Sequence, residues 1–175
     1  MGFRQDMIEC QKVAQRGPEG VRRAALIAVL SAQQQWSRVP IQLADVERNG
    51  LKSAALYGSK RAAFKFLENE ANLDYLYAGT MTENDPVDLL DLWLSVPSLG
   101  LVKGGFVVQL TRGKVGCIDT HNAKRYDVNK NQLRLDKSAS PGVNLRKVKE
   151  YVRLCEDLGG ADFLWQEWCY LMAGK

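Results

Sequence analysis

The hydrophobic pattern of the chain predicts helices along most of its length. Apolar residues such as Val21, Ala25, Ala28, Val29 and Ala32 recur at the spacing of an α-helix with one buried face. Helices are predicted at residues 3–15, 19–36, 42–49, 60–72, 88–94, 102–110, 119–126, 144–157 and 161–172. No stretch of useful length alternates apolar and polar residues with period two. The pattern therefore predicts an all-α protein without strands.

Residues with special backbone preferences mark the ends of these segments. Pro40 interrupts the pattern after the second helix, and Gly50 is a C-terminal cap for the third. Ser59 is a candidate N-cap for the fourth, and Pro86 lies at the start of the fifth. Residues 127–142 are polar and irregular, so they are predicted to form a loop.

Composition restricts the class of protein. The chain has 175 residues, of which 46% are hydrophobic, enough for one domain or two small helical lobes with a packed core. No apolar run approaches the roughly 20 residues of a membrane helix. Residues 1–16 mix charges and lack a signal-peptide core, so a cytoplasmic protein without a membrane partner is expected. The net charge of +4 permits a polyanionic partner without establishing one.

The cysteines do not form a metal-binding pattern. Cys10, Cys117, Cys155 and Cys169 include no closely spaced pair, and His121 is the single histidine. Reduced thiols with structural roles are expected, because free cysteine is often buried. The sequence predicts neither a metal site nor a cofactor.

Candidate chemistry is concentrated in residues 96–121. A turn at residues 96–100 separates two predicted helices, Lys103 opens the second, and Asp119 follows sixteen residues later. Glycine in such a turn lets backbone N–H groups approach a phosphate closely. The positive end of a helix dipole favours the neutral amine of a nearby lysine, which is a nucleophile. A carboxylate stabilises an oxocarbenium-like sugar, so this pair suits cleavage of a nucleotide's glycosidic bond.

Four blocks of sequence resemble the helix-hairpin-helix-GPD superfamily of DNA glycosylases, which includes endonuclease III and 8-oxoguanine DNA glycosylase. Residues 96–103, Val-Pro-Ser-Leu-Gly-Leu-Val-Lys, resemble its hairpin, usually Leu-Pro-Gly-Val-Gly-x-Lys. Residues 118–121, Ile-Asp-Thr-His, resemble its Val-Asp-Thr-His segment. Residues 26–33 resemble its early helix, which ends Leu-Ser-Ala-Gln, and residues 56–60 resemble its Gly-Leu-Tyr-x-Ser-Lys segment. The blocks follow the family's order.

The resemblance implies a fold and an activity. The fold is a two-lobed helical bundle in one compact unit, residues 1–175. One lobe comprises about residues 20–110, including the hairpin at 96–103. The other combines the helix at 3–16 with helices in 119–175. The implied activity is that of a monomeric DNA N-glycosylase, with associated AP lyase activity, acting on a damaged or modified base flipped out of the duplex.

The resemblance also assigns roles to individual residues. Lys103 matches the nucleophile that forms a Schiff base, and Asp119 matches the catalytic carboxylate. Gln33 matches a residue that fills the space left in the DNA stack by the flipped base. A shift of register puts Gln34 or Gln35 in that position instead.

Further residues are predicted to contact DNA. The hairpin residues that match phosphate contacts are Ser98, Leu99, Gly100, Leu101 and Val102. His121 is expected to contact phosphate or to have a structural role. Lys124 and Arg125 lie just past Asp119, where contact with the DNA backbone is favoured.

Tryptophans are candidates for a base pocket. Trp165 and Trp168 lie on the last predicted helix, where aromatic residues at helical spacing usually belong to the core. A flipped base needs a surface for stacking, so these two residues or Trp36 are candidates to line its pocket.

The chain departs from the family at three points. Ser98 stands where the family hairpin has glycine. Two residues, Leu101 and Val102, separate the last glycine of the hairpin from Lys103, whereas the family has one residue there. The spacing from Lys103 to Asp119 is about two residues shorter than in endonuclease III. There is no four-cysteine pattern, so no iron–sulfur cluster is predicted.

Two alternative functions remain. One is a transferase that replaces a pyrophosphate on modified thymine with an amine, and the other is a non-catalytic DNA-binding module.

Overall fold

A computed structural model describes residues 3–32, 34–136 and 138–173 of the chain, and this part is all-helical. Its α-helices are α1 Phe3–Ala14, α2 Pro18–Leu30, α3 Val39–Asn49, α4 Ser59–Leu67, α5 Glu70–Thr82, α6 Pro86–Leu94, α7 Leu101–Arg112, α8 Thr120–Arg125, α9 Pro141–Asp157 and α10 Gly160–Ala173. The described residues contain no strand, which confirms the prediction of an all-α protein.

Two helices begin where local sequence predicts. The Asp85 side chain caps α6 by accepting hydrogen bonds from the N–H groups of Val87 and Asp88. Asp119 caps α8 in the same way. In both cases the cap is a short-range interaction, so it can be recognised from neighbouring residues alone.

The second predicted helix, at 19–36, is too long, because α2 ends at Leu30. Two side chains satisfy carbonyls at its last turn. Lys60 Nζ donates to the Leu30 carbonyl at 3.1 Å, and Ser31 Oγ donates to the Ala28 carbonyl at 2.8 Å. These donors replace backbone N–H groups that a longer helix supplies. Trp36 consequently begins a separate 3-10 turn.

Three other predicted boundaries are wrong for local reasons. Pro40 lies in the first turn of α3, where proline is tolerated, so it starts this helix rather than interrupting one. The predicted helix at 60–72 is divided between α4 and α5, because the Asn69 side chain caps a new helix by accepting from the Asn72 N–H at 3.0 Å. Gly58, with φ of 51°, precedes α4, and Ser59 is its first residue rather than its cap.

Helix α7 lies at the centre of the fold and packs against α1, α2 and α6. Its residues 104–111 are all buried, as expected of a helix covered on every side. Residues 113–119, which we call the return loop, run back alongside it. A Cβ at Gly105 would lie 2.8 Å from the Gly116 carbonyl oxygen, so the absence of a side chain permits this close approach. The return loop thereby brings Asp119 back towards the beginning of α7.

Helix α1 packs against α2, α7 and α10, so it joins the early helices to the last one. Across the described ranges, none of the helices has the length and apolar character needed to cross a membrane.

Candidate active site

A cavity of about 780 Å³ opens between the segment after α2, residues 103–109 of α7, the end of the return loop, and α10. Its volume falls within the roughly 300–1,000 Å³ typical of small-molecule pockets. Six of the residues predicted from the sequence line it: Lys103, Asp119, His121, Trp36, Trp165 and Trp168. The structure thus brings together both predicted catalytic residues and all three predicted base-pocket residues.

Lys103 is held at the edge of the cavity by a serine. Its Nζ donates a hydrogen bond to Ser31 Oγ at 2.8 Å. Because the Ser31 hydroxyl proton is already donated to the Ala28 carbonyl, this oxygen is oriented to accept from Lys103. The amine also lies 5.5 Å from the centroid of the Phe106 ring, one helical turn further along α7. Ser31 and Phe106, which the sequence did not single out, therefore position the lysine.

Asp119 is held by the backbone of α8. Its Oδ1 accepts hydrogen bonds from the N–H groups of His121 at 3.0 Å and Asn122 at 2.9 Å. Lys103 and Asp119 thus have different hydrogen-bond partners, although both line the same cavity. Because the Lys103 amine and the Asp119 carboxylate are not hydrogen-bonded to each other, both remain available to a bound molecule.

The return loop is fixed from behind by Tyr151 of α9. The Tyr151 hydroxyl donates to the Gly116 carbonyl at 3.0 Å and accepts from the Ile118 N–H at 3.1 Å. Burial raises the pKa of Tyr151 well above its usual value of 10, so the hydroxyl stays protonated and can donate. In the sequence Tyr151 is simply an apolar position of an amphipathic helix, and nothing local signals its role.

Cys117 lies in the cavity lining beside both charged residues. Burial raises the pKa of its thiol to about 12, an effect that the positive charge of Lys103 opposes and the negative charge of Asp119 reinforces. The thiol is therefore neutral at physiological pH and is a poor nucleophile. Within the described ranges, no three His, Cys, Asp or Glu side chains are placed to hold a metal ion.

Aromatic rings form one side of the cavity. Trp36 meets Trp168 edge-on with centroids 4.9 Å apart, and Trp168 stacks on Trp165 at 5.4 Å. Phe106 lies between Trp36 and Trp165, at 6.0 and 6.2 Å, which closes the group of four rings. Such surfaces stack well on flat heterocycles.

The stack-filling position is only partly described. Gln33 lies outside the described residues, whereas Gln34 and Gln35, its alternatives, both line the cavity. Gln34 Nε2 donates to the Tyr57 hydroxyl at 3.0 Å, and Gln34 Oε1 accepts from Gln42 at 3.4 Å. A side-chain network thus holds Gln34 at the rim.

The five hairpin residues predicted to contact phosphate, 98–102, lie outside the cavity lining. Ser98 has a φ of 75°, in the left-handed region, and its hydroxyl donates to the Ser59 carbonyl at 2.8 Å. The side chains of Leu99 and Leu101 are buried in the core. Gly100 precedes α7 without a side-chain cap, and Val102 is half-buried in its first turn. A phosphate contact by this hairpin would therefore use backbone N–H groups rather than the leucine side chains.

Lys124 and Arg125 are exposed and lie outside the cavity lining. Arg125 forms an ion pair with Glu167 at 2.8 Å, and the Tyr126 hydroxyl donates to the same carboxylate at 3.0 Å. Contact of Arg125 with DNA would have to compete with this ion pair.

Comparisons of the chain with protein-family models, with curated proteins and with solved structures found no match. The sequence blocks and the cavity are consequently the basis for assigning a function.

Proposed function

We propose that this protein is a DNA N-glycosylase with associated AP lyase activity, built on the two-lobed helix-hairpin-helix-GPD fold. One observation carries the proposal. Lys103 and Asp119, the residues that the resemblance marks as catalytic, line one cavity together with Trp36, Trp165 and Trp168. Residues far apart in the sequence are thus assembled into a pocket with a nucleophile, a carboxylate and stacking surfaces.

The backbone of the hairpin also supports the proposal. The family hairpin has glycine at the position of Ser98, and Ser98 has a left-handed φ of 75°. Glycine adopts this conformation without strain, whereas other residues do so at a cost. This chain therefore has a backbone conformation that favours glycine at the position where the family has glycine.

The proposed reaction uses the two groups in sequence. Lys103 Nζ, in its unprotonated form, attacks C1′ of the flipped nucleotide and the C1′–N bond breaks. The base leaves with its electron pair and takes the proton that the amine loses on bonding to C1′. Asp119 stabilises the positive charge that develops on the sugar. Opening of the sugar ring gives a Schiff base between Lys103 and C1′. Loss of a C2′ proton then expels the 3′ phosphate.

Borohydride trapping tests this reaction, because borohydride reduces the Schiff base to a stable amine. Duplex oligonucleotides would carry 8-oxoguanine, oxidised pyrimidines, uracil, 5-hydroxymethyluracil or an abasic site. A covalent adduct is expected with the wild type and none with Lys103→Ala. The matched control is Lys65→Ala, which removes an exposed lysine of α4 outside the cavity lining and should leave the adduct unchanged.

Absence of an adduct on every duplex, the abasic one included, would contradict the lysine mechanism. The two alternatives then give different results. A transferase leaves the strands intact and produces modified thymines that mass spectrometry of the nucleosides detects. If the protein is a non-catalytic binding module, Lys103→Ala and Asp119→Asn should each bind DNA and support every activity as well as the wild type does.

A further inference from the structure

A glutamine more buried than the two charged residues lines the same cavity. Gln109 follows Lys103 and Phe106 along α7 at intervals of three residues, and all three line the cavity. Gln109 is buried, with only 1% of its surface exposed. Among the buried residues 104–111 of α7, Gln109 is the polar residue that lines the cavity.

Only half of its carboxamide is paired. Gln109 Nε2 donates to the Ala161 carbonyl at the start of α10, at 2.7 Å. Gln109 Oε1 is buried and has no hydrogen-bond partner among the described residues. Of the residues described, Gln109 alone both lines the cavity and carries such an unpaired buried atom. Buried acceptors in folded proteins are nearly always satisfied, so this oxygen needs an explanation.

A structural tie between α7 and α10 does not supply that explanation. The tie uses Nε2 alone, and an apolar side chain of the same length would pack there without burying an unpaired oxygen. Oε1 has almost no exposed surface, so an N–H group on a molecule bound in the cavity would satisfy it once the carboxamide turns towards the cavity. Nε2 also carries a second hydrogen beyond the one donated to Ala161.

We propose that Gln109 is the residue that reads the flipped base, an inference that rests on the proposed function. A carboxamide offers an acceptor and a donor side by side, which matches a base edge with an N–H next to an acceptor atom. The pocket therefore takes a neutral base with an intact N–H on the edge that meets Gln109. The aromatic side of the cavity, in which Trp36 and Trp168 are the less buried rings, offers a stacking surface to one face of the base, and Gln109 supplies the directional contact.

The test measures binding of bases that differ at this N–H. Duplexes would carry uracil or 5-hydroxymethyluracil, the corresponding N3-methyl base, or 2,4-difluorotoluene, an apolar mimic of thymine's shape. A 2′-fluorine keeps the glycosidic bond intact. An abasic analogue opposite each base removes differences in pairing strength. Dissociation constants would be measured by fluorescence anisotropy.

The wild type is expected to bind the bases with N3–H about tenfold more tightly than the methylated bases or the apolar mimic. Gln109→Met, which keeps the length of the side chain without its polar atoms, should lose this preference. The matched control is Thr80→Val, which removes another buried, unpaired oxygen outside the cavity lining and should keep the preference.

Equal binding of all these bases by the wild type would overturn the inference, and this result needs no variant to fold. A preference that persists in Gln109→Met would also overturn it, because the methyl group is then excluded by shape. Trapping of the wild type on abasic DNA is a separate measurement, since that substrate has no base. Its failure contradicts the lysine chemistry, whereas equal binding contradicts the reading of the base.

Discussion

Two lysines from different helices reach the C-terminal end of α2 and are held there in different ways. Lys60 of α4 is 5% exposed, donates to the Leu30 carbonyl at 3.1 Å and lies 4.8 Å from the Tyr57 ring centroid. Lys103 of α7 is half-buried and donates to the neighbouring hydroxyl of Ser31. Only Lys103 lines the cavity.

The difference lies in what each lysine's partner needs. A carbonyl at a helix end has no donor within the helix, so the Lys60 ammonium completes the structure and serves as a cap. The Ser31 hydroxyl already has a place for its proton, so Lys103 can leave it without exposing an unsatisfied backbone group. The lysine that the fold does not depend on is the one that the proposed reaction uses.

The same substitution at both lysines should separate the two roles. Lys103→Met is expected to reduce formation of the trapped adduct at least about 1,000-fold, because no other amine replaces the nucleophile. Its free energy of unfolding should change by less than about 1 kcal/mol. Trapping kinetics and urea denaturation would measure the two quantities. A large fall in the free energy of unfolding of Lys103→Met would contradict the difference proposed between Lys103 and Lys60.

Lys60→Met should show the opposite behaviour. Its loss leaves the Leu30 carbonyl without its donor, which is expected to lower the free energy of unfolding by about 2 kcal/mol. Trapping per folded molecule should remain close to that of the wild type. Urea denaturation followed by circular dichroism measures the first effect. A large fall in trapping with unchanged stability would instead place Lys60 in the reaction.

Ser31→Ala tests how far Lys103 depends on its partner. Removal of the hydroxyl frees the amine from its position, so we expect the trapping rate to fall about tenfold. Ser31→Thr retains the hydroxyl and should restore most of the rate. A structural role alone would lower stability without this rescue, so the rate and the thermal midpoint should be measured together.

Ser98 connects the surroundings of the two lysines, since its hydroxyl binds the Ser59 carbonyl next to Lys60. Ser98→Ala keeps the strained φ of 75° and loses the hydrogen bond, so the free energy of unfolding should fall by about 1 kcal/mol. Ser98→Gly loses the same bond but relieves the strain. Its stability should therefore lie within about 0.5 kcal/mol of the wild type. Denaturant midpoints that rank alanine above glycine would contradict this interpretation.

The sequence predicts the parts of the fold that neighbouring residues determine. The caps at Asp85 and Asp119 each bind N–H groups two and three residues ahead, so local pattern reveals them. The end of α2 depends on Lys60, thirty residues further along, and no local signal marks it. The division at Asn69 is local and was hidden by the continuous helical pattern around it.

The candidate site follows the same division. The motif blocks single out Lys103 and Asp119, and tryptophans were natural candidates for stacking. Ser31 enters the site through packing of α7 against α2, whereas Phe106 and Gln109 enter it through side-chain contacts with α10. The sequence does not display either arrangement. Gln109 in particular lies within an apolar run, where a single polar residue gives no indication of its partners.

The lengths of α7 and of the return loop together determine how far Asp119 lies from Lys103. The chain travels away from Lys103 at about 1.5 Å per helical residue and comes back at up to about 3.3 Å per residue where it is extended. Two residues removed from the outward limb are thus balanced by about one removed from the return. Because Gly105 lets the limbs touch, the loop can be set in a new register without a side chain to obstruct it. A change of length there would alter both the distance and the relative orientation of Lys103 and Asp119, since each helical residue also turns the chain by about 100°.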